Sequence, residues 1–338
     1  MVRIGVIGYG YWGPNITRNF AAAAGGEMHA VADYSEANRD RAARLYRGLK
    51  TYSDPLEMIR SPEIDVVAVV TPLSTHFDLA RQALLEGKHV FVEKPFTSTS
   101  AEAEQLIELA EKKGLQIMVD HTFLFTGAVR KIKEYLDQDA LGRLLYYDAT
   151  KVNLGLFQHD SNVVWDLAPH DLSIMDYLIG ADPEAMVVTG AHHYSGFEEM
   201  AYLTLYFPDN VIAHISVNWL SPVKVRSTLF GGEKKMLVWN DLEPDEKIRL
   251  YDKGVDVSNQ DNRSGVYELL VSYRQGDLIV PRVKSIEALK SETQYFIECI
   301  EKGEKPFNDG ISGWRIVKML EAADKSLKQR GGVVPIAL

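Results

Sequence analysis

Three short stretches of this chain carry residue types that could do chemistry. In WDLAPHD, residues 165–171, an acid (Asp166) stands four positions before a base (His170). In FVEKPF, residues 91–96, Glu93 and Lys94 precede Pro95, and in VIGYGYWG, residues 6–13, Gly8, Gly10 and Gly13 follow one another in G-x-G-x-x-G order. An acid and a histidine four apart share one helix face. They could move a proton, cap a helix, or contribute to a metal site. A metal needs at least one more ligand of the right kind, and no HExxH or comparable set is present. His159 and Asp160 lie just upstream, on a segment the sequence reads as loop. If Asp166 opens a helix, Pro169 falls in its first turn, where a missing N–H costs nothing. Histidine titrates ordinarily near neutrality, so proton transfer is the reading adopted, without a metal.

A lysine at the end of a buried strand can donate to a hydroxyl or carbonyl oxygen and stabilise negative charge developing there. Pro95 would fix the backbone beside it. The glycines admit a dinucleotide: Gly8 for a tight turn, Gly10 for close approach of a pyrophosphate, Gly13 for close helix–strand packing. Tyr11 and Trp12 belong to the same turn, and Glu93 and Lys94 are grouped with the cofactor side of the site. Asp33 ends the next strand, twenty residues beyond Gly13. An acid there would bind ribose hydroxyls and repel a 2′-phosphate, which favours NAD over NADP.

These residues need a frame. RIGVIG, MHAVAD, VVAVVT, HVFVEK and QIMVDH are short β-branched runs without polar alternation, each followed by helix or turn signals. That is the pattern of a parallel sheet covered on both faces. The helix after KPFTSTS opens on a capping box, Thr99 with Glu102, and ends before Gly114. After about residue 122 the strands lengthen and alternate. VIAHISVNW puts Val211, Ala213, Ile215, Val217 and Trp219 on one side, and EEMAYLTLYF puts Ala201, Leu203, Leu205 and Phe207 on one side. The expected fold is α/β: a doubly wound Rossmann domain over 1–122, then an α+β domain over 123–338 with a large, open, mainly antiparallel sheet.

With 338 residues, 46% hydrophobic and 25% charged, the chain suits two globular domains. A net charge of −10 argues against a nucleic-acid or anionic-membrane surface. No apolar run is long enough to span a bilayer, no signal peptide precedes the first strand, and the single cysteine, Cys299, reads as a buried thiol. A cytoplasmic setting is expected.

Taken together, Gly8-Gly10-Gly13 near the N-terminus, TPLSTH at 71–76, EKP at 93–95 and DLAPH at 166–170 resemble the Gfo/Idh/MocA oxidoreductases over nearly the whole chain. The late ETQYFIECIEKGEKP belongs to the same resemblance. Ala168 and Pro169 depart from the family's pattern inside the last motif and leave its spacing intact. The resemblance implies NAD(P)-linked oxidation or reduction of sugar or cyclitol carbons, with Lys94, Asp166 and His170 as the reacting groups. It places Thr71, Pro72 and His76 on the nicotinamide side and a cis bond at Lys94–Pro95. It also implies a homodimer or homotetramer formed through the second domain's sheet. VDHTFLFTGAVRKIKEYL, KVNLG and WDLAPHDLSIMDYL look closest to the branch acting on nucleotide sugars in surface-polysaccharide pathways, which includes UDP-N-acetylglucosamine 3-dehydrogenases. A diphosphate needs donors, and Lys151, Asn153 and Arg226 are the candidates. The expected partner is therefore a small sugar or nucleotide sugar, oxidised at C3. Free sugars or inositol, and ketoreduction with NADP, stand as alternatives, and a non-catalytic NAD-binding sensor is disfavoured by the intact Lys94, Asp166 and His170.

Overall fold

The computed structural model describes residues 1–155, 161–261 and 267–338. The chain divides into two compact units, 1–126 with 286–321 and 338, and 127–285 with 322–337.

The first unit is built on a six-stranded parallel sheet. Its strands are β1 (Val2–Ile7), β2 (Gly26–Ala32), β3 (Lys50–Tyr52), β4 (Val66–Val69), β5 (His89–Val92) and β6 (Ile117–Val119), in the order β3-β2-β1-β4-β5-β6. The chain order reverses between β1 and β4, so the crevice beyond their carboxyl ends is where an open α/β sheet takes a ligand. The five apolar runs of the sequence are all strands. β3 is an additional edge strand in a stretch, LKTYSD, with too little apolar pattern to show itself. Ile4, Val6, Val66, Val67, Val90 and Phe91 are fully buried, as a sheet covered on both faces requires.

The covering helices are α1 (Gly13–Ala22), α2 (Glu36–Leu45), α3 (Pro55–Arg60), α4 (His76–Leu85) and α5 (Ser100–Lys113). At α5 the expected capping box is complete: the Thr99 side chain accepts from the Glu102 N–H, and Glu102 accepts in return from the Thr99 N–H. Gly114 closes the helix in the left-handed conformation, φ 66°.

The second unit holds a nine-stranded sheet. In chain order its strands are β7 (Leu144–Leu154), β8 (Ala185–Ala191), β9 (Met200–Tyr206), β10 (Ile212–Asn218), β11 (Leu220–Gly232), β12 (Met236–Asn240) and β13 (Ile248–Tyr251). A separate hairpin, β14 (Gly254–Asp261) with β15 (Tyr267–Arg274), follows, and β16 (Leu278–Ile279) and β17 (Val334–Pro335) complete the sheet edges. The pairing is antiparallel except between β7 and β10, which run parallel. The alternation read from the sequence is the observed one: Ala201, Leu203, Leu205, Ala213, Ile215 and Val217 are fully buried, while Tyr202, Tyr206 and Ile212 on the other face are exposed. α6 (Gly127–Asp137) and α7 (Val163–Ile179) belong to this unit, and α7 packs on β9 and β10.

Two helices close the chain, α8 (Ala288–Lys302) and α9 (Gly310–Lys328). Here the structure departs from a division into 1–122 and 123–338. Residues 286–321 pack into the first unit, because the apolar face of α8 meets the sheet-covering layer there: Phe296 lies 6.0 Å from Phe91, which itself meets Phe20 edge-on at 5.3 Å. Cys299 on α8 is free and buried.

Candidate active site

At the carboxyl edge of β1 the chain turns sharply. Gly8 has φ +93°, and a Cβ there would stand 2.2 Å from the Val70 carbonyl oxygen. A Cβ on Gly13 would stand 2.1 Å from the Gly8 carbonyl oxygen, so both glycines are required for the turn to close. Gly10 is different: nothing lies within 4 Å of the place its Cβ would take. That space, in front of the uncapped start of α1, is the cradle a pyrophosphate needs. Tyr11 is fully solvent-facing, and Trp12 precedes the first residue of α1.

Asp33 follows β2 and is fixed by its neighbours. Its Oδ2 accepts from the Tyr9 N–H at 2.6 Å, and its Oδ1 accepts from the Ser35 N–H at 2.8 Å and the Asn38 amide at 3.2 Å. Arg39 donates to the Asp33 and Tyr34 carbonyl oxygens at 2.7 and 3.0 Å, and Arg41 donates to the Tyr9 and Gly10 carbonyl oxygens. Both guanidinium groups are thus engaged with the backbone. A cleft of about 490 Å³ runs from Gly8 and Gly10 past Asp33 and Tyr34 to Thr71 and Pro72. The residues present fit a dinucleotide.

The sheet register lines up the next groups. Ile7 pairs with Val69, Val69 with Val92, and Val92 with Val119. Two residues beyond these paired positions the chain reaches Tyr9, Thr71, Lys94 and His121, each just past the carboxyl end of its strand. Thr71 and Thr75 share a hydroxyl–hydroxyl bond of 2.7 Å. His76 does not line the cleft. It is buried, with Nδ1 2.9 Å from the Pro95 carbonyl oxygen and Nε2 2.8 Å from that of Thr71, so it ties the two loops together from behind. Burial pulls its pKa below the ordinary value, against the two carbonyls, which favour its charged form. The Lys94–Pro95 bond is cis. Glu93 accepts from the Lys94 N–H at 2.8 Å, and its carboxyl is held well above the usual range by desolvation and by Asp120.

In the second unit, α7 starts earlier than the sequence suggested. Asn162, not Asp166, caps it: Asn162 Oδ1 accepts from the N–H groups of Val164 and Trp165, both at 3.1 Å. Pro169 therefore sits inside the helix rather than in its first turn, and the Trp165 carbonyl loses its helical donor. Asp166 Oδ2 accepts from the Trp219 indole N–H at 3.0 Å, and His170 follows one turn later. Trp219 was visible in the sequence only as the end of an apolar alternation. Its buried N–H needed an acceptor, and that need was the available signal.

Lys151 is not an open phosphate donor. It is buried on β7 and pairs with Asp171 at 3.2 Å, both side chains 5% exposed. Arg226 lies directly across from Lys151 on β11 and pairs with Asp241 at 3.5 Å. Asn153 lies further along β7 and is partly exposed. The buried Tyr147 hydroxyl, beneath Asp171, is pushed far above its usual value by burial and then by that carboxylate. His159 and Asp160 lie outside the described residues. Among the described residues, no group of three His, Cys, Asp or Glu side chains could hold a metal ion, and no helix is long and apolar enough to cross a membrane.

Residues 2–121 match the model of an oxidoreductase family with an NAD-binding Rossmann fold, and residues 129–238 match a GFO/IDH/MocA C-terminal domain. The chain is 27% identical over 331 residues to the UDP-N-acetylglucosamine 3-dehydrogenase of Acidithiobacillus ferrooxidans, covering 94% of each chain. It is 25% identical over 341 residues to the scyllo-inositol 2-dehydrogenase (NAD(+)) of Bacillus subtilis, covering 97% of this chain and 94% of that one. A solved levoglucosan dehydrogenase in complex with NADH superposes with a TM-score of 0.83 at 19% identity, covering 99% of both chains, which is a likeness of fold.

Proposed function

Since the chain belongs to the Gfo/Idh/MocA family and is an NAD-dependent oxidoreductase acting on CH–OH groups, we propose that its substrate is a nucleotide sugar, oxidised at C3, with UDP-N-acetylglucosamine as the type. The observation that carries the reaction is the carboxyl edge of the first sheet, where Thr71 and Lys94 follow the paired ends of β4 and β5, and Thr71 lines the cleft that begins at the glycine turn. The similarity to a UDP-N-acetylglucosamine 3-dehydrogenase supports the substrate.

Bound NAD supplies the hydride acceptor. In this reading His170 takes the proton of the sugar hydroxyl whose carbon is oxidised. Lys94 donates to that oxygen and stabilises its growing negative charge. Asp166, steadied by the Trp219 indole, orients the sugar or the imidazole. Gly10, in the turn that Gly8 and Gly13 close and beside Tyr11 and Trp12, would hold the diphosphate of the cofactor, Asp33 would hold its ribose, and Thr71 and Pro72 would stand on the nicotinamide side. His76 and Glu93 serve by fixing the loops that carry Thr71 and Lys94.

One observation favours a second reading. Lys151 is buried against Asp171, and Arg226 shares Asp241 with Lys247, so both cations are already engaged with carboxylates rather than presented openly to a diphosphate. A free sugar or inositol needs no such cation. Formation of reduced nicotinamide from NAD separates the two, with UDP-N-acetylglucosamine, free glucose and inositol in parallel and a carbonyl trap to draw the reaction forward. Turnover confined to the nucleotide sugar is expected, and turnover confined to the free polyols would transfer the assignment to them.

We also propose that copies of the chain associate through the exposed face of the second-unit sheet around Tyr202, Tyr206 and Ile212. Sedimentation velocity should then show a dimer or tetramer, and a monomer at micromolar concentration would contradict it.

A further inference from the structure

The second unit encloses a carboxylate that the proposed chemistry leaves unused. Glu199 is 0% exposed and lies at the foot of β9, directly after the connection from β8. Its Oε2 accepts from the His193 N–H at 2.5 Å, and its Oε1 accepts from the N–H groups of Tyr194 and Ser195 at 2.8 and 2.5 Å. Burial alone would raise its pKa, but these three donors hold it below the ordinary carboxylate value. The segment they belong to, residues 192–197, is mostly exposed. Water could serve its N–H groups just as well. A buried anion is an expensive substitute for water. What it provides is a single conformation of the turn, the best-attested use of buried polar groups being to fix one geometry.

A closed ring of hydrogen bonds joins this turn to Asp166. The Glu198 carbonyl accepts from the N–H of Val163, the first residue of α7, at 2.9 Å. The next carbonyl, that of Glu199, accepts from the Trp219 N–H, also at 2.9 Å. Trp219 is 1% exposed, and its own carbonyl accepts from the Gly155 N–H at 3.0 Å, so its backbone is tied to the residues flanking both β7 and β9. Its indole N–H then donates to Asp166 Oδ2 at 3.0 Å. Asp166 closes the first turn of α7 by donating its N–H to the Asn162 carbonyl at 3.3 Å. The Asn162 amide is held in turn, 3.4 Å from the Glu198 carboxylate and 3.3 Å from that of Asp324. The ring runs from Glu198 through Val163 and Asp166 to Trp219 and returns at Glu199. A carboxylate on a helix and an indole beside a strand keep one relative position when both are anchored to the same rigid piece. Residues 198 and 199 are that piece.

We propose that Glu199 is a positioning residue: by locking the turn at 193–195 it fixes the two adjacent carbonyls that hold α7 and Trp219, and so sets the direction in which Asp166 presents its carboxylate. The inference rests on the reading of Asp166 as the group that orients the sugar or the imidazole. Glu199 acts through Trp219 and Asp166.

The first test needs no substrate. In nuclear magnetic resonance spectra of protein isotope-labelled at its tryptophans, the Trp219 indole N–H is identified by its loss in Trp219→Phe. Glu199→Gln retains an oxygen for Tyr194 and Ser195 but turns an amide toward the His193 N–H. It should shift the Trp219 indole resonance and quicken its exchange with solvent by on the order of tenfold. The indoles of Trp239, elsewhere in the same sheet, and Trp12, in the first unit, should stay where they are. A Trp219 signal unchanged in both respects would overturn the link from Glu199 to Trp219. The second test is a double-mutant cycle in kcat with UDP-N-acetylglucosamine, or with inositol should the substrate panel move the assignment there. Glu199→Gln alone should lower kcat by on the order of tenfold and leave the NAD dissociation constant unchanged. In the Trp219→Phe background it should lower kcat by less than about twofold, because the contact it acts through is already gone. Losses that multiply in the double variant would show general support of the fold and overturn the positioning role, as would wild-type kcat in Glu199→Gln. Glu199→Asp, which keeps the charge and withdraws it by one methylene, is measured in the same way should Glu199→Gln fail to fold. Silence of the whole substrate panel would count against the sugar assignment alone, and the indole signals would still decide whether Glu199 holds Trp219.

Discussion

Lys94 and His170 carry the proposed chemistry, and each makes a sharp claim about turnover. Lys94→Ala and His170→Ala should each lower kcat/KM by at least about a hundredfold. For His170→Ala the NAD dissociation constant, read by fluorescence titration, should stay near that of the wild type. Wild-type rates in either variant would remove that residue from the mechanism. His121 makes a claim about acid. Burial brings its pKa from 6.5 to about 4, so between those values the unfolded chain binds a proton that the folded chain refuses. Stability is therefore lost as pH falls from 6.5 toward 4, by up to about 3 kcal/mol. Melting curves across that window should show the loss, reduced in His121→Asn. A melting point independent of pH there would refute it. At this scale the sequence is readable wherever meaning is local. Gly8, Gly10, Gly13 and Asp33 announce themselves because a turn and the end of the next strand fix their neighbours. The Asp166–Trp219 bond spans 53 positions and the His121–Glu292 bond spans 171, and no spacing rule reaches so far.

Elements turn those residues into a site. The glycine turn works because two of its glycines serve the fold and the third serves the ligand. Gly8→Ala should destabilise the first unit by roughly 2 kcal/mol or more, since both its φ and the Val70 carbonyl reject a side chain. Gly10→Ala should melt like the wild type while losing most of its NAD affinity, because its methyl group would stand in the open cradle. Paired melting and NAD-titration data check the contrast, and equal effects of the two variants on stability would contradict it. Helix α5 was legible to its caps because Thr99, Glu102 and Gly114 are local signals. Helix α7 was placed a few residues late. Pro169 looked like a first-turn residue, and Asn162 lies too far upstream to compete on pattern alone. The burial of this helix on β9 and β10 is what allows a proline in its interior.

At the scale of the molecule, the sequence changes from apolar runs to alternating strands after about residue 122, and the opening segment of the first unit ends at Thr126. The return of 286–321 to the first unit was hidden, since an amphipathic helix shows that it has a partner and never which one. A fragment ending at residue 126 would expose Phe20 and Phe91 where Phe296 should lie, and would leave the His121 N–H without its Glu292 acceptor. It should be protease-sensitive and lack a cooperative melt, whereas a fragment as stable as the full chain would show that α8 is dispensable. The whole molecule's central claim is hydride removal from one carbon of a nucleotide sugar. The most direct measurement is mass spectrometry of the nicotinamide formed when the protein is given NAD and UDP-N-acetylglucosamine bearing deuterium only at C3. Deuterated reduced nicotinamide is the predicted result, and reduced nicotinamide without the label, or none in the presence of a carbonyl trap, would contradict it.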